Sequence, residues 1–299
     1  MKYILGLLSL LLILSCSTDD GVLEVPVNEV VVEPIIQPII NPSGSYTLRH
    51  DGEFREYHYY QPAELEDNAP LVFVLHGYNA NALDFMDWIS MEELADEQGF
   101  AVVYPQGLND DTRRTHWNAA LNISNEDDVG FLSNLALHLQ QTYDLNPEQT
   151  FISGYSNGGF MSYEMILKRP DIFKAAASIS VTMSLSTWEN RSDAIPVPVL
   201  QLSGALDRIV PVHGLVKDIG GWGGAPEMAE IVGFWGDLIQ AEVPAVETLD
   251  ETIITTYINP ETGNEVWYYL LQDLEHNIPL GDDYNVDTPS LIWEFFSRF

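Results

Sequence analysis

Between residues 70 and 202, short and continuous apolar runs alternate with segments that have helical periodicity. The first run extends from Pro70 to Leu75 and ends at the dipeptide His76-Gly77. Further runs cover residues 100–105, 175–179 and 197–202, and residues 147–152 lead into a predicted strand that ends at Gly154. Continuous runs of this length are typical of parallel strands that are buried on both faces of a sheet. Their alternation with helices predicts an α/β fold, with a mostly parallel central sheet flanked by helices.

Helical spacing and turn residues predict the remaining elements. A hairpin is predicted over residues 46–60, around the turn His50-Asp51-Gly52. Residues 253–257 are expected to pair as a strand with residues 265–271. Helices are predicted over residues 84–98, 128–143, 157–168 and 290–299.

The pentapeptide GYSNG of residues 154–158 stands between a predicted strand and a predicted helix. This is the setting of the nucleophile elbow of the α/β-hydrolase fold, in which a strained turn exposes a serine hydroxyl. Such a turn requires small neighbours, and Gly154, Gly158 and Gly159 meet that requirement. A glycine-rich turn with an incidental serine is the alternative interpretation. The pattern predicts an α/β-hydrolase fold with Ser156 as the nucleophile.

A serine hydroxyl needs a general base, and in this fold the acid and then the histidine follow the serine along the chain. Only His213 and His276 lie beyond Ser156. Asp207 follows the apolar run 197–202, which places it at the same sheet edge as the serine; an Asx turn is its alternative role. His276 lies on a separate loop, from which its two ring nitrogens can bridge the serine and the acid. We therefore predict Asp207 as the orienting acid and His276 as the base, with His213 as the alternative.

The oxyanion that develops during acyl transfer needs hydrogen-bond donors. In this fold they are backbone N–H groups of the residue after the nucleophile and of a loop after an early strand. The corresponding residues are Asn157 and Tyr78. His76 is expected to form hydrogen bonds within its own loop. The sequence has no His/Cys cluster with zinc-ligand spacing, and no metal or cofactor is implied.

Six short stretches carry a resemblance to a known family. They are residues 74–78, 102–107, 116–118, 127–131, 154–159 and 204–211. Together they resemble the group of polyhydroxybutyrate depolymerases, feruloyl esterases and acetyl-xylan esterases, carbohydrate esterase family 1 in the broad sense. The resemblance extends over most of residues 45–299. It departs at His276, which is followed by Asn277-Ile278-Pro279 where the family usually has Trp-Pro, so the pocket wall beside the base is altered.

The resemblance implies a serine esterase that cleaves acyl esters on plant polysaccharides, feruloyl or acetyl esters, through the residues predicted above. A polyhydroxyalkanoate or polyester depolymerase is an alternative with the same site. A peptidase or lactone hydrolase of the same fold, and a non-catalytic surface protein that binds glycans, are further alternatives. The expected partner is an ester-bearing polysaccharide, oligosaccharide or polyester.

Two tryptophans are candidates for substrate contacts. Trp117 is expected either to flank the acyl pocket or to belong to the core. Trp222 stands between two glycine pairs, where an aromatic clamp could move and stack on sugar or phenolic rings. A packed loop residue is the alternative for Trp222.

The chain is strongly acidic, with 45 acidic residues against 12 basic ones and a formal net charge of −33. A basic stripe for phosphate contacts is therefore missing, which excludes nucleic acid as a partner. The single cysteine is Cys16, so an intramolecular disulfide cannot form.

The N-terminus has the pattern of a secretory signal, with Lys2 followed by the apolar run from Ile4 to Leu14. Cys16 stands at the expected cleavage point, which resembles a bacterial lipobox; an ordinary signal peptide is the alternative. We expect an exported protein, held at the outer membrane or cell surface by a lipid on Cys16 alone, or otherwise secreted. The predicted divisions are a signal peptide over 1–16, a proline-rich tether over 17–42 and a catalytic domain over 43–299.

Overall fold

The fold is a ten-stranded mixed sheet with helices on both faces, seen in a computed structural model that describes residues 42–121, 123–215 and 223–299. The strands are β1 Gly44–His50, β2 Glu53–Tyr60, β3 Leu71–Leu75, β4 Ala101–Pro105, β5 Thr150–Tyr155, β6 Ala176–Ile179, β7 Val199–Gly204, β8 Ala245–Leu249, β9 Thr252–Ile258 and β10 Glu265–Leu271. The helices are α1 Ala82–Ile89, α2 Glu92–Gln98, α3 Asp128–Tyr143, α4 Asn157–Lys168, α5 Leu185–Glu189, α6 Met228–Leu238 and α7 Thr288–Phe296.

The strands follow the order β1-β2-β4-β3-β5-β6-β7-β10-β9-β8 across the sheet. The six neighbours from β4 to β10 are parallel, and the hairpins at both edges are antiparallel. The predicted fold class, a mostly parallel sheet flanked by helices, is confirmed. Because parallel strands end at one edge, the loops after β3, β5, β7 and β10 come together there.

Alternate residues of the central strands enter two separate hydrophobic cores. In β3, the side chains of Leu71, Phe73 and Leu75 belong to one cluster, and those of Val72 and Val74 belong to the other. Helices α3, α4 and α6 cover the first face, and α1, α2 and α7 cover the second. This double burial explains the unbroken apolar runs of the central strands, since both faces of each strand exclude water.

One predicted helix is divided in the structure. Residues 84–98 are predicted as a single helix, but α1 ends at Ser90, whose φ of 47° is left-handed. The backbone N–H of Met91 donates to the hydroxyl of Tyr104 at 3.3 Å instead of continuing the helical ladder. A tertiary hydrogen bond therefore takes precedence over the helical pattern at this point.

Strand β8 is absent from the sequence predictions. All five of its residues are exposed, so the sequence carries no alternation of buried and exposed positions.

Among the described residues, no helix has the length and apolar character needed to cross a membrane.

Candidate active site

Ser156 stands at a sharp turn between β5 and α4. Its φ of 52° and ψ of −115° lie in a region that side-chain-bearing residues rarely adopt. A serine at a helix N-cap commonly accepts a hydrogen bond from the first turn, but Ser156 makes no such bond. Its hydroxyl is therefore directed away from the helix and is available to another side chain.

Glycines allow the elbow to close. A Cβ on Gly154 would lie 2.2 Å from the carbonyl oxygen of Gly158. A Cβ on Gly158 would lie 2.4 Å from the carbonyl oxygen of Leu75 in β3. These contacts are with backbone atoms, which cannot turn aside, so the predicted need for small residues has a direct steric cause.

The structure brings Ser156, His276 and Asp207 together in one hydrogen-bonded series. The Nε2 atom of His276 is 3.0 Å from Ser156 Oγ, and its Nδ1 atom is 2.7 Å from Asp207 Oδ2. Ser156 is 5% exposed and the Asp207 side chain is 2% exposed, whereas the imidazole is 16% exposed. The alternative base, His213, is exposed on the surface.

The loop after β7 fixes the carboxylate of Asp207. Its Oδ1 atom accepts hydrogen bonds from the backbone N–H groups of Ile209 and Val210, both at 2.8 Å. The Asx turn that was the alternative role of Asp207 is thus present, and it leaves Oδ2 directed at His276. One side chain forms the turn and orients the imidazole.

The loop of His276 is anchored from two neighbouring strands. The hydroxyl of Tyr155 donates to the carbonyl of His276 at 3.0 Å, and that of Ser180 donates to the carbonyl of Asn277 at 2.6 Å. Burial raises the pKa of Tyr155 to about 12, so this hydroxyl remains a donor. Tyr155 is the first of the two variable residues of the G-x-S-x-G pattern, and this role was not predicted from the sequence.

The loop after β3 is held rigidly beside Ser156. His76 is fully buried, and its Nε2 atom accepts from the backbone N–H of Gly107 at 3.0 Å. Its Nδ1 atom therefore carries the proton and donates to the carbonyl of Gly77 at 2.7 Å. Burial lowers the pKa of His76 to about 4, which keeps the ring neutral. The expectation that His76 forms hydrogen bonds within its loop is confirmed.

Tyr78, the predicted oxyanion donor, lies on this loop and lines the same cavity as Ser156. Its hydroxyl donates to Asp110 Oδ2 at 2.5 Å, and the next residue, Asn79, donates its backbone N–H to the carbonyl of Thr115 at 2.7 Å. The other predicted donor, Asn157, is the first residue of α4, where backbone N–H groups have no partner within the helix. Both backbone N–H groups thus belong to segments held next to the serine.

Trp117 lies behind the site and is completely buried. Its indole N–H donates to the carbonyl of His76 at 3.0 Å, and its ring centroid is 5.0 Å from that of the His76 ring. It is not among the residues that line the cavity of Ser156. Of the two positions expected for Trp117, the structure shows the one in the core, where the residue supports the loop of Tyr78.

A buried ion pair holds the neighbouring segment. Arg55 binds Asp128 Oδ1 at 2.6 Å, and Asp128 Oδ2 accepts from the backbone N–H of Asn118 at 2.7 Å. Both charged side chains are at most 2% exposed. The ion pair and this hydrogen bond thus link residues 127–131 to residues 116–118, two of the stretches that carry the family resemblance.

A cavity of about 800 Å³ opens in front of Ser156 and His276. Three aromatic rings form part of its wall, those of Phe85, Trp88 and Tyr155. The Phe85 and Trp88 ring centroids are 5.8 Å apart, and those of Trp88 and Tyr155 are 5.7 Å apart. Residues of the loops after β3 and β4 form another, more polar part of the wall. Phe85 and Trp88 were not predicted as pocket residues, although aromatic residues at i and i+3 of a predicted helix share one face and were a usable signal.

Cys16, the signal peptide and Trp222 lie outside the described residues, as does the tether except for its last residue, Pro42. The lipid anchor and the aromatic clamp therefore stay predictions.

Comparison with known proteins supports the fold and the resemblance. Residues 86–211 match the sequence profile of the prolyl oligopeptidase family. The chain is 27% identical to the bifunctional acetylxylan esterase/xylanase XynS20E of Neocallimastix patriciarum, over 57% of this chain and 24% of that protein. It is also 27% identical to a probable feruloyl esterase C of Aspergillus niger, over 56% of this chain and 60% of that protein. The chain thus matches less than two thirds of the length of these relatives.

Among solved structures, an acetyl xylan esterase from Aspergillus awamori aligns with a TM-score of 0.62. The alignment covers 86% of this chain and all of that one, at 15% sequence identity. At this identity the likeness establishes the fold, and the chain has the α/β-hydrolase fold.

Proposed function

We propose that this protein is a serine esterase that hydrolyses acetyl or feruloyl esters on plant polysaccharides. The observation that carries the proposal is the series of hydrogen bonds from Ser156 through His276 to Asp207, which opens into the cavity in front of the serine. The names of the relatives and the resemblance in sequence point to the same chemistry.

In the acylation step, Ser156 Oγ attacks the carbonyl carbon of the ester while His276 Nε2 takes the hydroxyl proton. Asp207 holds the imidazole in orientation and stabilises its protonated form. The negative oxygen of the tetrahedral intermediate accepts hydrogen bonds from the backbone N–H groups of Tyr78 and Asn157. Collapse of the intermediate breaks the bond to the alcohol, which leaves with the proton from His276.

In the deacylation step, His276 takes a proton from water as the water oxygen attacks the acyl carbon. The second tetrahedral intermediate uses the same two N–H donors. Its collapse breaks the bond to Ser156 Oγ, releases the carboxylic acid and returns the proton to the serine.

The aromatic wall supports esters that carry a flat apolar group or lie beside a sugar ring. Phe85, Trp88 and Tyr155 offer ring faces and edges, and the Trp88 residue is 42% exposed. Aromatic faces stack on phenolic rings and on the C–H faces of sugars without a need for charge. An acidic protein surface does not oppose such neutral substrates.

The decisive experiment compares the wild-type protein with Ser156→Ala on p-nitrophenyl acetate, methyl ferulate, acetylated xylan and polyhydroxybutyrate. The proposal expects hydrolysis of at least one polysaccharide-type ester by the wild type, and loss of that activity in the alanine variant. Preference for polyhydroxybutyrate would favour the depolymerase instead. If no ester is cleaved and a fluorophosphonate reagent does not label the wild type, the protein is a binding protein rather than an esterase.

A peptidase is the second candidate, because the matched family profile is that of the prolyl oligopeptidases. The same triad can attack an amide, whose poorer leaving group needs protonation by His276. A glycyl-prolyl anilide provides the test. Cleavage of this anilide with a kcat/KM above that for the esters, and its loss in Ser156→Ala, would assign a peptidase.

For the N-terminus, we propose export and attachment to a membrane through a lipid on Cys16. The short apolar run and the cysteine at the expected cleavage point support this. Growth of expressing cells with radiolabelled palmitate should label the wild type and not Cys16→Ala. Equal labelling of both, or of neither, would contradict the anchor without affecting the esterase.

A further inference from the structure

A second group of chemically active side chains lies at the turn between β1 and β2. His50 ends β1, Asp51 follows it in the turn, and Asp127 is the N-cap of α3. One side-chain atom from each of the three lies within 4.8 Å of the other two. The Nε2 atom of His50 is 3.3 Å from Asp127 Oδ2 and 3.8 Å from Asp51 Oδ2. None of the three residues lines the cavity of Ser156.

The imidazole of His50 is buried and directed into this group. Its side chain is only 8% exposed, and Nε2 has no hydrogen-bond partner. The other ring nitrogen, Nδ1, is 3.0 Å from the side-chain amide nitrogen, Nδ2, of Asn134. Burial has removed the water molecule that would otherwise bind this nitrogen. A buried polar atom without a hydrogen bond therefore indicates a site for a ligand. The two carboxylates that face it are themselves open to solvent, so an ion can reach the group from outside.

Gly130 provides the space in which these side chains approach each other. A Cβ at this position would lie 2.1 Å from Asp127 Oδ2 and 2.9 Å from His50 Cε1. Glycine in the first turn of a helix is less favourable than alanine. Here its missing side chain permits His50 and Asp127 to share one small volume.

The distances and charges fit a bound cation. A zinc ion lies about 2.0–2.2 Å from nitrogen and oxygen ligands in tetrahedral geometry, which sets neighbouring ligand atoms about 3.4 Å apart. The observed separations of 3.3 and 3.8 Å bracket that value. A neutral imidazole and two carboxylates carry a formal charge of −2, which suits a divalent cation. Arg55 does not offset this charge, because it is already bound to Asp128.

We propose that His50 Nε2, Asp51 Oδ2 and Asp127 Oδ2 bind one divalent transition-metal ion of the zinc type, with water as the remaining ligand. A ligating Nε2 requires the proton on Nδ1, so metal binding turns over the amide of Asn134, which presents its nitrogen to the ring in the structure, and its oxygen then accepts from Nδ1. The ion joins the β1–β2 turn to the start of α3. That helix carries Asp128, which accepts from the N–H of Asn118 next to Trp117. The site is structural and takes no part in ester hydrolysis.

The test uses the full-length chain without a polyhistidine tag, stripped with EDTA and titrated calorimetrically with zinc chloride. We expect one site of micromolar affinity in the wild type, weakened at least tenfold in His50→Gln and in Asp51→Asn. His138→Gln is the matched control, because His138 is exposed on α3 and lies outside the group. It should bind zinc within twofold of the wild type. Added zinc should raise Tm for the wild type and His138→Gln only.

Two outcomes would overturn the proposal. Equal zinc affinity of the wild type and His50→Gln would assign the binding to other acidic groups of the surface. No binding at millimolar zinc would leave His50 and Asp127 as a simple ion pair. Gly130→Ala gives a second check, since filling the shared volume should weaken zinc binding even if the protein is as stable as the wild type without metal.

Discussion

The side-chain amide of Asn157 forms two hydrogen bonds with the backbone of Trp117. Its Oδ1 atom accepts from the Trp117 N–H at 2.6 Å, and its Nδ2 atom donates to the Trp117 carbonyl at 3.0 Å. The indole N–H of Trp117 in turn donates to the carbonyl of His76, two residues before Tyr78. A single buried series of hydrogen bonds thus connects the two segments that carry the proposed oxyanion donors.

Replacement of Asn157 by alanine should damage both stability and catalysis. The change leaves the N–H of Trp117 buried without its partner, while the carbonyl of Trp117 keeps only the hydrogen bond from the N–H of Ala119. The buried N–H costs roughly 1–3 kcal/mol of unfolding free energy. We expect kcat for p-nitrophenyl acetate to fall roughly ten- to a hundredfold with little change in KM, because the donors lose their alignment. Guanidinium unfolding and steady-state kinetics measure the two effects. Asn190→Ala, at an exposed position, is the control; a loss as small as in this control would show that the amide positions nothing.

Asp207→Asn should lower the catalytic rate without destabilising the fold. The amide oxygen can still accept from Ile209 and Val210, so Tm should change little. An amide cannot stabilise the imidazolium, and the imidazole can adopt the wrong tautomer, so kcat should fall by roughly 10³–10⁴. The matched control is Asp273→Asn, an exposed acid three residues before His276. Retention of more than a tenth of the wild-type kcat would remove Asp207 from the proposed triad.

The aromatic wall predicts a change of specificity in Trp88→Ala. Stacking of aromatic rings contributes about 0.5–1.5 kcal/mol, which corresponds to roughly a two- to tenfold change in affinity. We expect KM for methyl ferulate to rise by that factor, while kcat/KM for p-nitrophenyl acetate stays within twofold. Phe54→Ala removes another exposed aromatic residue, on β2 and outside the cavity wall, and should change neither value. An equal loss for both esters in Trp88→Ala would contradict a role in recognising the ring.

The sequence predicted the parts of the site that depend on local pattern and on chain order. Ser156 follows from small residues around one turn, and Asp207 and His276 follow from strands that end at one sheet edge. The supports of these residues come from distant parts of the chain. Asn157 and Trp117 are 40 residues apart, and Tyr155 and His276 are 121 apart. A hydrogen bond between residues so far apart produces no periodic pattern in the sequence.

Two fold predictions fell short for related reasons. Strand β8 has no buried face, so no alternation of apolar and polar residues indicates a strand there. The break between α1 and α2 depends on the hydroxyl of Tyr104, which the sequence around Ser90 does not contain. In both cases a tertiary partner, rather than the local sequence, determines the element.

Burial of neutral His76 predicts a loss of stability in acid. The pKa of His76 is lowered by burial to about 4, against about 6.5 in an unfolded chain. Between these values the unfolded state binds one more proton than the folded state, so the unfolding free energy falls as the pH falls from about 6.5 to about 4. The total effect is on the order of 3 kcal/mol. Above pH 6.5 this contribution is fully present.

His76→Gln should lack this contribution to the pH dependence of the unfolding free energy. The variant should be less stable at pH 8, because the hydrogen bonds to Gly107 and Gly77 are altered. Its unfolding free energy should depend less steeply on pH between 6.5 and 4, by about one proton. His138→Gln, which changes an exposed histidine, should keep the wild-type slope. Equal slopes in all three proteins would show that His76 is protonated equally in both states.

Two helical glycines should respond to alanine in opposite directions. In Gly158→Ala the new Cβ meets the carbonyl oxygen of Leu75 at 2.4 Å, so the elbow must move away from β3. We expect a loss of about 1–3 kcal/mol of unfolding free energy, which is typical of overpacking. We also expect a loss of kcat, since Ser156 and the N–H of Asn157 belong to the same turn.

Gly233→Ala is the matched substitution, in α6, where a Cβ meets no atom within 4 Å. It should raise the unfolding free energy by up to about 1 kcal/mol, because alanine favours a helix more than glycine does. Its kcat should equal that of the wild type. Chemical unfolding and p-nitrophenyl acetate hydrolysis of the two variants therefore separate helix propensity from the steric requirement of the elbow. If both variants were stabilised and active, the close contact between α4 and β3 would not constrain the position of Ser156.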